Sequence, residues 1–214
     1  MVRLLIIRHG ETNSNKNSKM MGQSEVPLNE IGRQQAKLCG LYLLKTKIQI
    51  KAFYSSTLLR ARETAEIIAK EMNLDKKIQY ISDLTERSFG ELEGKSYSDV
   101  RNQLNNKNGN LDITIKPPNG ESALEFYARV KSGIENILKA EDWEVDDIIV
   151  LLTHGGTIRH ILGYLFCEKD NKYNDFPVDP ENCSLTLLNI DKNGKRGSRI
   201  EYLNYYHYLQ NSGT

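Results

Sequence analysis

Cysteine is scarce in this sequence. Its 214 residues include only Cys39, Cys167 and Cys183, which are widely spaced and odd in number. This spacing matches neither a disulfide framework nor a C-x-x-C metal site. Cys39 lies in a helical pattern and Cys183 in a strand pattern, so we interpret these two residues as buried thiols.

Long apolar segments are missing as well. The first apolar run, Leu4 to Ile7, ends at Arg8 and is shorter than the ~7–15 apolar residues of a secretory segment. No part of the sequence approaches the ~18 apolar residues of a membrane-spanning helix. These absences predict a cytoplasmic protein that has no membrane partner.

Neither sign of charge is in excess. The chain has 29 basic and 28 acidic side chains and a net charge of +1, so no overall field favours nucleic acid or an anionic membrane. Any attraction for an anionic ligand must therefore be local. The hydrophobic and charged fractions, 39% and 27%, are those of a globular protein. No linker or internal repeat divides the sequence, so we predict one domain over residues 1–214.

Apolar runs and amphipathic segments alternate along the chain. We predict strands at residues 2–7, 52–54, 78–81, 148–153, 183–190 and 199–205. We predict helices at residues 28–47, 58–72, 96–104, 122–139 and 157–166. Residues 105–120 are interpreted as a loop, and Asn193-Gly194 is a hairpin signal. This alternation predicts a three-layer α/β fold, in which a mostly parallel sheet has helices on both faces.

Capping residues support several of these helices. Asn29 is predicted to cap the helix at 28–47, and Ser55-Ser56-Thr57 the helix that follows. Ser122 and Glu125 have the spacing of a capping box. The apolar side of the helix at 28–47 is predicted to consist of Ile31, Leu38, Leu41 and Leu44.

Two segments share one pattern, in which a buried apolar strand ends in histidine and glycine. They are Ile6-Ile7-Arg8-His9-Gly10 and Leu151-Leu152-Thr153-His154-Gly155-Gly156. In open α/β sheets, ligands bind beyond the carboxyl ends of the strands. Glycine at that place lets the backbone approach a ligand closely. The shared pattern therefore predicts that His9 and His154 belong to one site.

Positive charge is predicted at the same edge of the sheet. Arg8 ends the first strand, and Arg60 lies near the start of the helix after the second strand. Helix N-termini carry unpaired N–H groups and favour anions, and arginine adds bidentate geometry for phosphate. The sequence therefore predicts a phosphate site here, whereas Arg62 and Glu63 are interpreted as a solvated helix face.

Motifs in the same order along the chain resemble those of the histidine phosphatase superfamily, also called phosphoglycerate mutase-like. Arg8-His9-Gly10-Glu11-Thr12 is similar to its R-H-G-x-T motif. Further blocks resemble it at Asn15, Gly22, Pro27-Leu28-Asn29-Glu30-Ile31-Gly32, Arg60-Ala61-x-x-Thr64-Ala65, Leu84-x-Glu86-x-x-Phe89-Gly90-x-x-Glu93-Gly94, Gly120-Glu121-Ser122 and Thr153-His154-Gly155-Gly156. One departure is Glu63, which stands where glutamine is usual.

This resemblance implies a metal-free and cofactor-free phosphomonoesterase of the histidine acid phosphatase type. It implies catalytic roles for His9, Glu86, His154, Arg8 and Arg60, and substrate contacts for Arg8, Asn15, Gly22, Gln23, Arg60 and Gly155. His9 would accept the phosphoryl group as phosphohistidine, and Glu86 would donate a proton to the leaving alkoxide.

The implied chemistry suits these residue types. Phosphoryl transfer depends on positioning and charge neutralisation, and a single arginine contributes ~10³–10⁵ in rate in related reactions. His9 has to attack as neutral imidazole, whereas a bound anion should favour a charged His154. Glu86 has to be protonated, which requires desolvation or a neighbouring phosphate anion.

Three other functions remain open. A phosphoglycerate mutase is the nearest, although Glu91-Leu92-Glu93-Gly94 is more similar to the phosphatase branch than to the Ala-Leu-Gln-Gly of mutases. A metal-dependent hydrolase would use His154 and His160, whose six-residue spacing does not place both on one helical face. A non-catalytic module that binds a phosphorylated ligand would have no need of an acid such as Glu86.

The substrate is not specified by the motifs. We expect a phosphorylated small molecule and no nucleic acid, with selectivity set by Met20 to Val26 and Tyr97 to Pro118. The tyrosine-rich end, Tyr202 to Tyr208, suits either a homodimer surface or a cover for the sheet. Structural or solvated roles are predicted for Glu93, Arg87, His160 and His207.

Overall fold

The computed structural model describes residues 1–105, 112–139, 143–167, 175–191 and 197–210. Its strands are β1 (Val2–Arg8), β2 (Ile50–Ser56), β3 (Ile78–Ile81), β4 (Ile148–Thr153), β5 (Leu185–Ile190) and β6 (Arg199–Tyr205). Its helices are α1 (Asn13–Lys16), α2 (Glu30–Thr46), α3 (Leu59–Glu71), α4 (Tyr97–Leu104), α5 (Ala123–Lys139) and α6 (Gly155–Leu162). None of the helices within these residues is long and apolar enough to cross a bilayer.

The strands form one six-stranded sheet in the order β3-β2-β4-β1-β5-β6. The four strands from β3 to β1 are parallel, and β5 is antiparallel to both β1 and β6. Every residue of β4 is buried, as expected for a central parallel strand that is covered on both faces. The prediction of a mostly parallel sheet is confirmed. The hairpin signal at Asn193-Gly194 and residues 106–111 of the predicted loop lie outside the described residues.

Helices cover both faces of the sheet. On one face α2 and α3 pack against inward-facing strand residues such as Ile7, Phe53 and Val150. On the other face α5 and α6 pack against residues such as Ile6, Tyr54 and Leu151. Because side chains alternate between the faces of a strand, neighbouring residues such as Ile6 and Ile7 serve different cores. The three-layer α/β prediction is confirmed.

The predicted apolar side of α2 is wrong. Ile31 is 51% exposed, and Leu41 and Leu44 are 36% and 43% exposed. The helix instead buries Gly32, Ala36, Cys39, Gly40 and Leu43. The reason is close packing against α3: a Cβ at Gly40 would lie 2.7 Å from the Cβ of Glu71. Small residues admit this approach, and Leu41 and Leu44 lie on the side that faces solvent.

The structure confirms two caps and corrects a third. Asn29 accepts a hydrogen bond from the Gly32 amide at 2.8 Å, as predicted. Ser122 and Glu125 form a reciprocal capping box with distances of 2.8 and 3.1 Å. The prediction that Ser55-Ser56-Thr57 caps α3 is wrong, because the N-cap is Leu58 and no side chain caps it. The two serines belong to β2, which the sequence pattern had made too short.

The two predicted thiols are buried. Cys39 and Cys183 are both free and fully buried, and burial raises the pKa of Cys39 to about 12. Cys183 lies just before β5 in the left-handed region, at φ 56°. Its amide donates to the carbonyl oxygens of Arg8 and His9 at 3.1 and 3.3 Å, so this turn supports the end of β1.

Candidate active site

The parallel strands bring the two predicted histidines side by side. Arg8 pairs with Thr153 in the register of β1 and β4, so the residues that follow each strand meet at one edge. The ring centroids of His9 and His154 are 5.1 Å apart. Arg60 reaches the same edge from the first turn of α3 and is completely buried. The prediction that these residues share one place in the fold is therefore consistent with the geometry.

His9 is oriented by a local hydrogen bond. Its side chain is only 2% exposed, and Nδ1 lies 2.7 Å from the carbonyl oxygen of Gly10. A carbonyl oxygen only accepts, so Nδ1 carries the proton and Nε2 keeps its lone pair. Burial, and then the charges of Arg60 and Arg8, hold the pKa of His9 well below its usual 6.5. The imidazole is thus a neutral base with Nε2 available.

The backbone around His9 is fixed by segments remote in sequence. The His9 amide donates to the Thr153 carbonyl at 2.9 Å, and Asn182 Nδ2 donates to the His9 carbonyl at 2.9 Å. Gly10 packs so closely that an added Cβ would lie 2.5 Å from the carbonyl oxygen of Gly32. The glycine after His9 therefore serves packing within the protein, in addition to any approach of a ligand.

The two arginines are held by backbone carbonyls. Arg60 donates from Nη1 to Ser24 O at 3.0 Å and from Nη2 to Gly22 O at 2.7 Å. Burial lowers the pKa of Arg60 to about 10, so it stays charged at neutral pH. Arg8 donates from Nη1 to the Pro180 carbonyl. Within the described part of the chain, the buried Nε atoms of both arginines have no hydrogen-bond partner.

His154 is fully buried at the N-terminus of α6. Its Nε2 lies 2.7 Å from Ser56 Oγ, whereas the buried Nδ1 has no partner among the described residues. Burial, Arg60 and His9 hold its pKa well below 6.5. In the ligand-free chain the imidazole is therefore neutral, unlike the charged form expected with a bound anion. Unpartnered N–H groups on two cations and a buried imidazole would suit an oxyanion.

Glu86 lies in the loop after β3, close to the start of α6. Its Oε2 accepts the amide of Gly156 at 2.9 Å, and its Oε1 accepts the amide of Arg87 at 2.9 Å. A Cβ at Gly156 would lie 2.4 Å from Glu86 Oε1, so a larger residue at this position would displace the carboxylate from its present place. Arg129 donates to the Glu86 carbonyl at 3.2 Å and holds the loop in place. The acid predicted from the sequence thus lies beside the second histidine.

The predicted substrate contacts differ in position. Gly155 and Gly22 line the cavity, and Gly22 has a φ of 53° that favours glycine. Gln23 turns its side chain inward and donates to the Glu86 carbonyl at 3.0 Å. Asn15 forms a capping box with Thr12, the N-cap of α1, and is not among the cavity-lining residues, so its predicted substrate contact stays a prediction.

Glu93, which sequence reasoning left out, connects two walls of the site. Its Oε1 accepts the amides of Gln23 at 2.9 Å and Phe89 at 3.1 Å, and Ser24 donates its hydroxyl to Oε2. This carboxylate therefore fixes the segment whose carbonyls bind Arg60. Its position in the Glu93-Gly94 motif was the only available signal, since two of its partners, Gln23 and Ser24, are about 70 positions away in the sequence.

A cavity of about 540 Å³ lies at this edge of the sheet and is lined by Arg8, His9, Arg60, Glu86, Gly155 and Gly156, whereas His154 is not among its lining residues. The predicted selectivity segments supply part of its wall: Met20, Met21, Gly22, Tyr97, Val100, Arg101 and Leu104. Arg87 and His160, both predicted to be structural, also line the cavity. They have structural contacts as well: Arg87 donates to the Glu121 carbonyl at 3.0 Å, and the His160 ring lies 4.6 Å from that of Phe126.

A sequence profile described as "Histidine phosphatase superfamily (branch 1)" matches residues 4–202. The chain belongs to the histidine phosphatase superfamily. The match begins in β1 and ends in β6, so the whole sheet is part of it apart from the outer ends of these two strands. The resemblance drawn from the motifs is confirmed.

The chain is similar in sequence or structure to several members of the superfamily. Phosphoglycerate mutase-like protein 4 of Arabidopsis thaliana is 36% identical over 165 residues, or 74% of this chain and 68% of that protein. A broad-specificity phosphatase of Saccharomyces cerevisiae is 29% identical over 197 residues, or 92% and 83% of the two chains. The solved structure of a mycobacterial glucosyl-3-phosphoglycerate phosphatase has a TM-score of 0.77 at 27% identity, and the alignment covers 94% of this chain and 98% of that one. Bisphosphoglycerate-dependent phosphoglycerate mutases of Bartonella match as well.

The departure from the superfamily motif at Glu63 has a structural explanation. Its Oε2 accepts the amide of Leu28 at 2.8 Å and lies 3.7 Å from the guanidinium of Arg33. The solvated helix face predicted for this residue is therefore wrong. Glu63 connects α3 to the segment that leads into α2, and a carboxylate can accept from both groups at once.

This superfamily member is expected to lose stability in mild acid. His9 and His154 are held neutral in the folded chain, whereas each titrates near 6.5 when unfolded. The unfolded state then binds more protons, so the free energy of unfolding falls as pH decreases below about 6.5. Each buried imidazole contributes up to about 1.4 kcal/mol per pH unit until its folded pKa is reached. Urea unfolding between pH 7.5 and 5.5 measures the slope.

The His9→Ala variant provides the control for this slope, because it removes one of the two buried imidazoles. We expect its unfolding free energy to fall less steeply over the same interval. Carboxyl groups whose folded pKa is lowered, such as Glu135 and Glu201, act only at lower pH. A free energy that is flat from pH 7.5 to 5.5 in the unmodified protein would contradict the assignment of neutral buried histidines.

Proposed function

We propose that this protein hydrolyses phosphate monoesters of small molecules through a phosphohistidine at His9. The observation that carries the proposal is the orientation of His9. Its Nδ1 donates to the Gly10 carbonyl, so Nε2 is the nitrogen left to attack, and the residue lines the cavity. A neutral imidazole beside two guanidinium groups suits attack on a phosphate anion, because the cations neutralise charge that would otherwise repel the nucleophile.

The first half-reaction would transfer the phosphoryl group to His9. Arg8, Arg60 and the unpartnered Nδ1 of His154 would hold the phosphoryl oxygens through N–H donors. Nε2 forms a bond to phosphorus while the bond from phosphorus to the ester oxygen breaks. The departing alkoxide takes a proton from Glu86, whose carboxyl group lies over Gly156 at the same cavity.

The second half-reaction would return the enzyme to its starting state. Glu86, now a carboxylate, accepts a proton from a water molecule that attacks phosphorus. The bond between phosphorus and Nε2 breaks, and inorganic phosphate leaves with Nε2 unprotonated. The same carboxyl group thus serves as acid and then as base, as microscopic reversibility requires of a residue beside the ester oxygen.

The proposal is tested by the products of a substrate panel. Purified protein is incubated with phosphorylated sugars, phosphoserine, phosphoglycerates and p-nitrophenyl phosphate, and inorganic phosphate is measured. We expect release from at least one alkyl phosphate at a kcat/KM above about 10⁴ M⁻¹s⁻¹, which is the lower end of the usual range for enzymes. Interconversion of 2- and 3-phosphoglycerate without phosphate release would instead establish the mutase alternative. Phosphate binding without any turnover would establish a binding module.

Chelation is expected to leave turnover unchanged. In this proposal Arg8 and Arg60 neutralise the negative charge of the phosphate, which a metal ion would otherwise neutralise. Arg60 keeps its positive charge at neutral pH because its pKa is about 10. The measurement compares phosphate release before and after prolonged dialysis against EDTA, with a metal-dependent phosphatase as the positive control. Loss of activity that Mg²⁺ or Zn²⁺ restores would contradict this mechanism.

A further inference from the structure

A buried serine hydroxyl contacts the second histidine. Ser56 ends β2, where Ser55 pairs with Leu152 of β4, so Ser56 lies beside the end of β4 and therefore next to His154. Its Oγ is 2.7 Å from His154 Nε2, and both residues are 0% exposed. At this distance the two atoms share one proton in a hydrogen bond, and the direction of that bond decides the tautomer of the imidazole.

The other hydrogen bond of the Ser56 hydroxyl shows whether Ser56 donates to His154 or accepts from it. The hydroxyl oxygen accepts the amide of Leu58 at 3.3 Å, and an amide can only donate. Among the described residues, the acceptor within reach of the hydroxyl proton is therefore His154 Nε2. If Nε2 donated instead, a fully buried hydroxyl proton would lack an acceptor, which costs roughly 1–3 kcal/mol. Ser56 accordingly donates, and the imidazole proton is on Nδ1.

The resulting tautomer suits the charges around it. His154 is faced by Arg8 at the end of β1, His9 directly after it, Arg60 from α3 and Arg129 from α5, while Glu86 accepts the amide of Gly156, two residues further along the chain. A third full positive charge in this buried cluster would be repelled by the two nearer guanidinium groups. A neutral ring with a proton on Nδ1 still offers a donor to an oxyanion and avoids that repulsion.

We propose that Ser56 is a positioning residue that holds His154 as the neutral Nδ1–H tautomer, so that this N–H is presented to the phosphoryl group. The tautomer itself does not depend on the reaction, whereas its effect on turnover rests on the proposed function. His154 Nδ1 and the Nε atoms of Arg8 and Arg60 are all buried without a hydrogen-bond partner among the described residues, and both arginines act electrostatically on His154, which supports this interpretation.

Two-bond ¹H–¹⁵N correlation spectra of protein with ¹⁵N-labelled histidine test the tautomer. At pH 7.5 the signals of His154, identified by their loss in a His154→Gln variant, should show a proton on Nδ1 and none on Nε2. Adding inorganic phosphate should shift the Nδ1 proton. A proton on Nε2, or on both nitrogens, in the unmodified protein would overturn the proposal.

Kinetics with a matched pair of variants test the role. Ser56→Ala removes the hydroxyl and should lower kcat/KM by ~10–100-fold, the usual range for removing a group that orients a reacting residue. Ser55→Ala is the control, because Ser55 is equally buried in the same strand, donates to the Ser56 carbonyl at 3.0 Å and forms no hydrogen bond with His154 within the described residues. It should stay within about threefold of the unmodified protein.

The spectra and the kinetics together distinguish failure of the positioning role of Ser56 from failure of the proposed function. Equal losses in Ser55→Ala and Ser56→Ala would mean that the serine only supports the strand, and the positioning role would be rejected. In the Ser56→Ala variant the Nε2–H tautomer of His154 should become populated. If the spectrum of this variant still shows only the Nδ1–H tautomer, the positioning role is also rejected. If no phosphate ester is turned over but the unmodified protein shows the Nδ1–H tautomer and its shift with phosphate, the proposed function fails and the assignment of the tautomer to Ser56 stands.

Discussion

Replacing His9 with alanine is expected to reduce turnover by more than ~10⁴-fold, because no other group at the site can replace a lost nucleophile. His9 lines the cavity with Nδ1 engaged by the Gly10 carbonyl, so Nε2 is the only ring nitrogen available for attack. The fold should be retained, since the side chain forms one local hydrogen bond and, as a neutral imidazole, takes part in no ion pair among the described residues that its removal would break. Steady-state kcat and a thermal melt of the variant measure both effects.

Rapid quenching during turnover gives a direct check of the same residue. Unmodified protein should yield a phosphoprotein that is labile in acid and stable in base, with the phosphate mapped to His9. His160→Asn is the matched control, because His160 lines the same cavity but is paired with Asp175 at 3.7 Å. That variant should still form the phosphohistidine. Phosphate mapped to a serine, cysteine or aspartate would refute the mechanism.

Replacing Glu86 with glutamine is expected to separate substrates by the basicity of their leaving groups. General acid help contributes typically 10²–10⁴-fold, so hydrolysis of an alkyl phosphate should slow by ~10²–10⁴-fold. p-Nitrophenolate needs little protonation, so kcat/KM for p-nitrophenyl phosphate should fall much less. Glutamine keeps an oxygen that can accept from the Gly156 amide, which limits structural effects.

Glu93→Gln is the control for this comparison. Glu93 accepts bonds from Gln23, Ser24 and Phe89 and positions the wall of the site, so its replacement should slow both substrates by similar factors. If Glu86→Gln also slows both substrates equally, Glu86 only positions the substrate. The proton donor would then have to be sought at Glu93 or His154.

Much of the fold follows from periodicity in the sequence. The central strands β1 and β4 are continuous apolar runs, and their ends were predicted to within one residue. The buried side of α2 could not be predicted, because the close approach of α3 favours glycine and alanine over the leucines that set the helical pattern. The short helix α1 was also missed, since its four polar residues carry no apolar period.

The sequence by itself determined the superfamily and predicted which residues supply the charge and the proposed nucleophile, because each motif is contiguous and each histidine directly follows an apolar strand. Only the tertiary structure decided how those groups are oriented. Ser56 meets His154 across 98 residues through the register of β2 and β4, and Glu93 reaches Gln23 across 70. Hydrogen bonds between remote segments depend on strand register and loop packing, which no local pattern encodes, whereas the bond that orients His9 is local because its partner is the adjacent Gly10 carbonyl.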